Sequence, residues 1–292
     1  MNKVVRFTGG LGNQMFCYVI YKALQKEYGL NKVIADISFY SKRNVSFELG
    51  NVFPNTLSSL RYDYVGLGKA YEKIKYYLEK VCGSNKFSEN IIFYEKERFI
   101  YDESVLKCKA PLICGYWQSY KYLREVEDVV ARDFSFTVNE ELFAFEQELK
   151  HSDRELVSVH VRRGDYLDFW DKYGGICDEL YYNNALTYFC DTINNPIFVF
   201  MSDDIEWVKE RYNNSTIKKE CIYIEPKMFH MYSNWYDMYI MSICNNNVIA
   251  NSTFSWWGAY LNKNINKTVY APKKWVNDSD AIEICPKEWI RG

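Results

Sequence analysis

Histidine, paired cysteine and surplus positive charge are all scarce in this chain, and each shortage removes a class of function. Only three histidines occur in 292 residues, and none stands at metal-ligand spacing from another. The nine cysteines (Cys17, Cys82, Cys108, Cys114, Cys177, Cys190, Cys221, Cys244 and Cys285) are odd in number and contain no Cys-x-x-Cys pair. Neither a disulfide frame nor a zinc site fits that pattern. They read as small apolar core residues of a protein in a reducing cytoplasm, where the sequon Asn214-Ser215-Thr216 would meet no glycosylation enzyme. Lys and Arg number 36 against 38 Asp and Glu, a net charge of −2, so the basic face expected of a nucleic-acid binder is missing. No apolar run reaches the ~18 residues of a membrane span. Val4-Val5-Arg6-Phe7 follows the first lysine too closely for a signal peptide. These features leave open a peripheral attachment to the inner membrane face.

What is present is an alternation of strands and helices. Val4 to Thr8 reads as a strand, broken by Gly9-Gly10-Leu11-Gly12-Asn13. A helix is predicted from about Gln14, where Phe16, Val19, Ile20, Ala23 and Leu24 share one face and Gly29 supplies the stop. Val33-Ile34-Ala35 is a second strand, ending at Asp36. Between 40 and 110 the pattern is weaker, with a helix over 69–81 and an extended piece at 91–94. A strand follows at 111–117, then helical stretches at 120–131 and 139–150. From residue 155 the rhythm is regular. Strands at 155–162, 196–201, 221–224 and 247–250 alternate with helices, which implies a parallel sheet with right-handed crossovers. No repeat, linker or low-complexity segment occurs, and a division near residue 150 (1–150 and 151–292) is expected.

Chemistry gathers at the ends of three of those strands. The first carries His160, Arg162 and Arg163, followed by Gly164, Asp165 and Tyr166. Two adjacent guanidiniums at a strand's carboxyl tip suit a diphosphate, since arginine stays charged and can grip two oxygens at once. An ion pair of Arg163 with Asp165 is the plainer alternative. The second tip carries Asp203 and Asp204, and the third Ser252, Thr253 and Ser255 at a helix start, where hydroxyls and N–H groups bind phosphate. Helix capping is the competing role for Asp203, Asp204, Ser252 and Thr253. In the first half, Gly9 to Gln14 has neither the spacing of a dinucleotide fingerprint nor the Lys-Ser/Thr of a P-loop. Gly10 and Gly12 would let backbone approach a ligand, with Asn13 or Gln14 reaching across a cleft; a tight strand-to-helix turn would serve as well. Aromatics make up 18% of the chain, with 26 tyrosines. That surplus suits stacking on sugar faces, although tyrosine also fills half-buried positions.

Gly-Gly-Leu-Gly-Asn-Gln-Met-Phe at 9–16, His-Val-Arg-Arg-Gly-Asp-Tyr at 160–166, Ser-Asp-Asp at 202–204 and Asn-Ser-Thr-Phe-Ser-Trp-Trp-Gly-Ala at 251–259 together resemble glycosyltransferase family 11. Those are the bacterial-type α-1,2-fucosyltransferases that use GDP-fucose. The resemblance implies an α/β, GT-B-like fold of two facing Rossmann-type domains, acceptor side N-terminal and GDP side C-terminal. It implies inverting transfer of L-fucose from GDP-β-L-fucose to the 2-hydroxyl of a terminal galactoside, on an oligosaccharide or a lipid-linked surface glycan, with no metal or other cofactor. Arg162 would hold the β-phosphate and Asn13 approach the sugar phosphate. His160 and Asp203 would face guanine, Asp204 being second choice, and Ser252, Thr253 and Ser255 would bind the diphosphate. The base is not identified; Asp165 and Asp36 are candidates. Three other readings are a fucosyltransferase of different linkage or acceptor, a catalytically idle sugar-nucleotide-binding module, and a metal-dependent transferase built on Asp278-Ser279-Asp280.

Overall fold

Among the described residues all the paired strands run parallel, in two sheets, and their order fixes where a ligand can sit. The computed structural model describes residues 2–42, 45–63, 66–82, 90–212, 219–279 and 281–292, and their side chains except those of Lys42, Val81, Cys82 and Asp165. The sequon at 214–216 therefore lies outside the described residues. Two units form: one runs to Thr137 and takes back Ile282–Ile284, the other holds Val138–Ala281 and Cys285–Gly292. The crossing thus comes earlier than the expected 150. The reason is the helix Glu140–Leu149, whose Asn139 cap donates to the Tyr236 hydroxyl (2.8 Å) and whose Glu146 accepts from the Tyr239 hydroxyl.

The first sheet contains β1 (Lys3–Arg6), β2 (Val33–Asp36), β3 (Tyr62–Asp63), β4 (Ile92–Tyr94) and β5 (Leu112–Cys114), in the order β3-β2-β1-β5-β4. The helix Leu11–Tyr28 is buried on nearly every side, and Gly29 ends it at φ +99° with its N–H on the Gln25 carbonyl, 2.9 Å. The second sheet contains β6 (Leu156–Val161), β7 (Ile197–Ser202), β8 (Cys221–Tyr223), β9 (Asn246–Val248), β10 (Val269–Ala271) and β11 (Ile290–Arg291), in the order β11-β10-β9-β6-β7-β8. That is the Rossmann order, in which the chain leaves the first strand to one side and later returns to build on the other. The switch falls between β6 and β9, and ligands of such sheets bind at the carboxyl ends there. The core beneath it packs Val157, Val159 and Val161 with Phe198, Phe200, Leu186 and Phe189.

The α/β class and the pair of Rossmann-type parallel sheets expected of a GT-B-like chain are both present. Strands β3, β10 and β11 were not expected; two or three residues at or near a sheet edge are too few to display a period. The stretch predicted helical from 120 splits into a tight turn, Tyr120–Glu125, and the helix Glu127–Asp133. Every cysteine whose side chain is described is a free thiol. No helix there is long and apolar enough to cross a membrane.

Candidate functional site

In the second unit, β6 and β7 pair in register from Leu156↔Ile197 to Val161↔Ser202. One step further places Arg162 beside Asp203 and Arg163 beside Asp204, so two motifs 40 residues apart meet as cross-strand neighbours. Arg162 Nη1 lies 2.8 Å from Asp203 Oδ2, and Arg163 Nε lies 3.0 Å from Asp204 Oδ2. The Arg163 N–H donates to Asp203 Oδ1 (2.9 Å), so both oxygens of Asp203 are engaged by the β6 tip. Gly164 is explained by the same contact, because a Cβ there would stand 2.5 Å from Asp203 Oδ2. The guanidinium of Arg163 also lies over the Trp207 ring, 3.8 Å from its centroid. Arg163 is therefore paired with Asp204. The Asp165 side chain, the other partner considered from sequence, lies outside the described residues. Asp204 has a second task at the start of helix Ile205–Tyr212, where its N–H donates to Ser202 Oγ at 3.0 Å.

At the β9 tip, Ser252 occupies the cap position of the helix Thr253–Tyr260 without using its side chain to cap it. The first turn carries no acid, which suits an anion. Thr253 is partly exposed in that turn. Ser255 differs from the other two: it is fully buried, and its Oγ accepts the Ala250 N–H at 3.0 Å. That bond ties the residues after β9 to the helix and engages one lone pair of the Ser255 hydroxyl. Tyr166 reaches over from the helix after β6 and donates its hydroxyl to the Asn251 carbonyl at 2.8 Å, which fastens the two tips together.

His160 sits between them. Its imidazole is buried, lies 5.5 Å from the Phe254 ring and leaves Nδ1 with no hydrogen-bond partner. Burial, reinforced by the Arg162 charge, lowers its pKa to about 4 against the opposing pull of Asp203. A neutral ring with an unused polar atom at a switch point is the kind of buried group that a ligand satisfies. Asp237, which sequence reasoning missed, belongs to the same electrostatic neighbourhood. It stands in the first turn of helix Trp235–Ile243, nearly buried, with Oδ1 accepting from Tyr232 Oη at 2.7 Å. Burial above all, and then the Asp203 charge, push its carboxyl up to about 7. The signal available in sequence was one acid set among Tyr232, Trp235, Tyr236 and Tyr239.

In the first unit, the corresponding switch lies between β1 and β5. The helix begins at Leu11, so only Gly9 and Gly10 form the turn, and Gly12, Asn13 and Gln14 are already helical. Gly9 needs its lack of a side chain: its φ is +76°, and a Cβ would strike Asn13. Gly10 accepts the Asn13 and Gln14 N–H groups, both at 3.0 Å. Gln14 is fully buried and spent on the fold. Its Nε2 donates to the Gly9 and Ser46 carbonyls, and its Oε1 accepts from the Glu48 and Leu49 N–H groups. Asn13 Oδ1 accepts from Gln118 Nε2 at 2.7 Å, just beyond the β5 tip. There Glu95 takes the N–H groups of Tyr116 and Trp117, and Trp117 holds φ +58°. Asp36 is fully buried, clasped by Arg6 Nε (3.3 Å) and the Ser38 N–H (3.0 Å); that setting fits an ion-pair partner, not a base reaching an acceptor hydroxyl. Among the described residues no three His, Cys, Asp or Glu side chains gather to hold a metal ion, and Asp280 of the Asp-x-Asp alternative lies outside them.

The chain is 30% identical to an alpha-1,2-colitosyltransferase of Escherichia coli, covering 99% of this chain and 98% of that one. It is 30% identical to the O-antigen biosynthesis glycosyltransferase WbnK of Escherichia coli, covering 97% and 98%. With the galactoside alpha-(1,2)-fucosyltransferase 1 of Homo sapiens it shares 27% identity over 60% of this chain and 49% of the human one. The model of glycosyl transferase family 11 matches residues 75–291, and this chain, a glycosyltransferase, belongs to that family.

Proposed function

We propose that this protein transfers L-fucose from GDP-β-L-fucose to the 2-hydroxyl of a terminal galactoside, with inversion and without a divalent metal, in the assembly of a surface polysaccharide at the inner membrane face. The observation that carries the reading is Arg162, positioned by Asp203 and set beside the buried His160 at the β6–β9 switch. As the C1–O bond breaks, its electron pair moves to the β-phosphate while positive charge grows on the sugar ring. Arg162 meets that anion; the N-terminal turn at Ser252 and Thr253 holds the phosphates. The acceptor oxygen bonds to C1 from the opposite side, and its proton passes to a base, for which Asp165 remains the candidate. His160 receives the guanine. Both Asp203 oxygens carry bonds already, so Asp237 joins it as a carboxyl for the guanine edge. Asn13 serves the sugar phosphate.

A second reading changes only the donor. Colitose lacks the 3-hydroxyl of fucose, and the full-length relative named for colitose supports a GDP-colitose donor. Both sugar nucleotides should be offered with a panel of galactosides, with and without excess EDTA, and the product linkage determined by NMR. An α-1,2-fucoside formed in EDTA is expected. Exclusive use of GDP-colitose would establish the second reading, and loss of transfer in EDTA would overturn the metal-independent mechanism.

A further inference from the structure

The helix Leu67–Cys82 of the first unit packs the wrong way round for a soluble surface helix. Its inward side is largely polar, although Tyr71 packs on the cluster of Val4, Ile92 and Leu112. Gly68 lies directly against the Arg6–Asp36 ion pair, Glu72 reaches Arg6 Nη1 at 2.5 Å, and Lys75 sits between Glu79 (3.6 Å) and the Tyr94 ring (4.9 Å). Its apolar stripe points outward instead. Leu67, Ala70, Ile74 and Tyr77 follow one another at three- and four-residue steps and are exposed, Ile74 by 47% and Tyr77 by 62%. Along their flank run Lys69, Lys73, Tyr76 and Lys80, also exposed. The helix's acids, Glu72 and Glu79, are both half-buried on the opposite side, so the outward face is apolar on one flank and carries only positive charge on the other.

We propose that this face docks the protein on an anionic lipid surface, with Ile74 and Tyr77 entering the headgroup boundary and Lys69, Lys73 and Lys80 meeting lipid phosphates. An apolar stripe beside lysines on a single exposed helix is the pattern of interfacial binding. Lysine is depleted in protein–protein interfaces, which sets three of them along the stripe against a protein occupant. The net charge of −2 means that attraction to anionic lipid has to come from this local patch, not from the whole molecule. The proposal gives the reading above its place of work and does not depend on which sugar is transferred.

Vesicle flotation without any sugar nucleotide tests it separately from the transfer reaction. The full chain should float with vesicles of phosphatidylcholine containing phosphatidylglycerol and stay behind with phosphatidylcholine alone. Each lysine near an anionic surface contributes about fivefold, so Lys69→Gln/Lys73→Gln/Lys80→Gln should lower partitioning roughly 100-fold. Ile74→Ser/Tyr77→Ser should lower it with every charge kept. Unchanged circular dichroism and unchanged transfer to a soluble acceptor would show that both variants are folded. Wild-type partitioning by the triple variant, or no flotation of the wild type, would overturn the proposal. So would a concentration-dependent dimer that Ile74→Ser/Tyr77→Ser dissociates, since it would assign the face to a second copy.

Discussion

Replacing Asp237 by Asn should reveal two opposed titrations hidden in the native protein. In the folded chain the Asp237 carboxyl is pushed up from 3.8 to about 7, so it stays protonated while its unfolded counterpart ionises. Its contribution to stability is complete below pH 4 and is lost as pH rises to 7. Each pH unit in that window costs about 1.4 kcal/mol, or about 4 kcal/mol across it as an upper limit. His160 does the reverse. Its pKa falls from 6.5 to about 4 on folding, so the unfolded chain takes up the proton first. Stability from the neutral ring is complete above pH 6.5 and is lost as pH falls to 4, by up to about 3 kcal/mol. Between pH 4 and 6.5 the two slopes cancel in the wild type.

Asn keeps the Tyr232 hydrogen bond, because its carbonyl oxygen can accept as Oδ1 does, and it cannot ionise. Asp237→Asn should therefore match the wild type at pH 4 and exceed it increasingly up to pH 8, by as much as about 4 kcal/mol. It should also uncover the His160 slope, stability rising by about 1.4 kcal/mol per pH unit from 4 to 6.5. Urea unfolding followed by circular dichroism at pH 4.5, 6 and 8 measures both effects. A gain that is the same at all three pH values, or a loss at pH 8, would refute the reasoning that Asp237 is buried with a raised pKa.

Arg162→Ala should lower kcat by at least 10²-fold, the typical cost of removing one preorganised donor, with the unfolding midpoint little changed. Arg163→Ala should do the opposite, because it strips Asp204 and Trp207 of their shared partner and loses a cation–π contact of about 1 kcal/mol. Gly164→Ala drives a Cβ against Asp203 Oδ2, and should cost about 1–3 kcal/mol in urea unfolding and weaken GDP binding by calorimetry. Asn13→Ala and Gln118→Ala should be non-additive in kcat/KM, with a double-mutant coupling of about 0.5–3 kcal/mol, because Gln118 orients the Asn13 amide.

The regular half of the fold was legible because its strands are long. β6 and β7 are six residues each, all buried except Ser202, and largely apolar runs of that length declare themselves. Strand β3, two residues at an edge, offers nothing to count. The three strand tips were legible for a different reason: in a parallel sheet every polar group that follows a strand lies on one rim, so adjacency follows from the alternation alone. What each polar group does on the rim was not legible, since that depends on its partner. Ser252 and Ser255 look equivalent in sequence, yet one caps a helix without using its hydroxyl and the other accepts the Ala250 N–H. Gln14 and Asn13 are neighbours with similar side chains; the helix start at Leu11 turns the first into the loop that carries Ser46 and Glu48 and the second toward Gln118. Asp237 was missed because its chemistry comes from burial, which a single acid in a sequence does not disclose.

Register then ranks the two arginines, which sequence alone treated as a pair. Both are next to an aspartate that follows β7, so neither is an isolated cation. Arg163 is held on its edge by Asp204 and on its face by Trp207, and is 24% exposed. Arg162 is held at Nη1 by Asp203, has its guanidinium carbon 5.8 Å from the centroid of the Tyr166 ring, and is 34% exposed. A guanidinium clamped on edge and face cannot turn to a phosphate without giving up two contacts. Arg162 is the more exposed of the two, and its bond to Asp203 fixes its orientation before any negative charge develops beside it. Electrostatic preorganisation of that kind lowers a barrier because the protein does not reorganise as the bond breaks. Asp203, read in sequence as facing guanine or capping a helix, is on this geometry what aims Arg162.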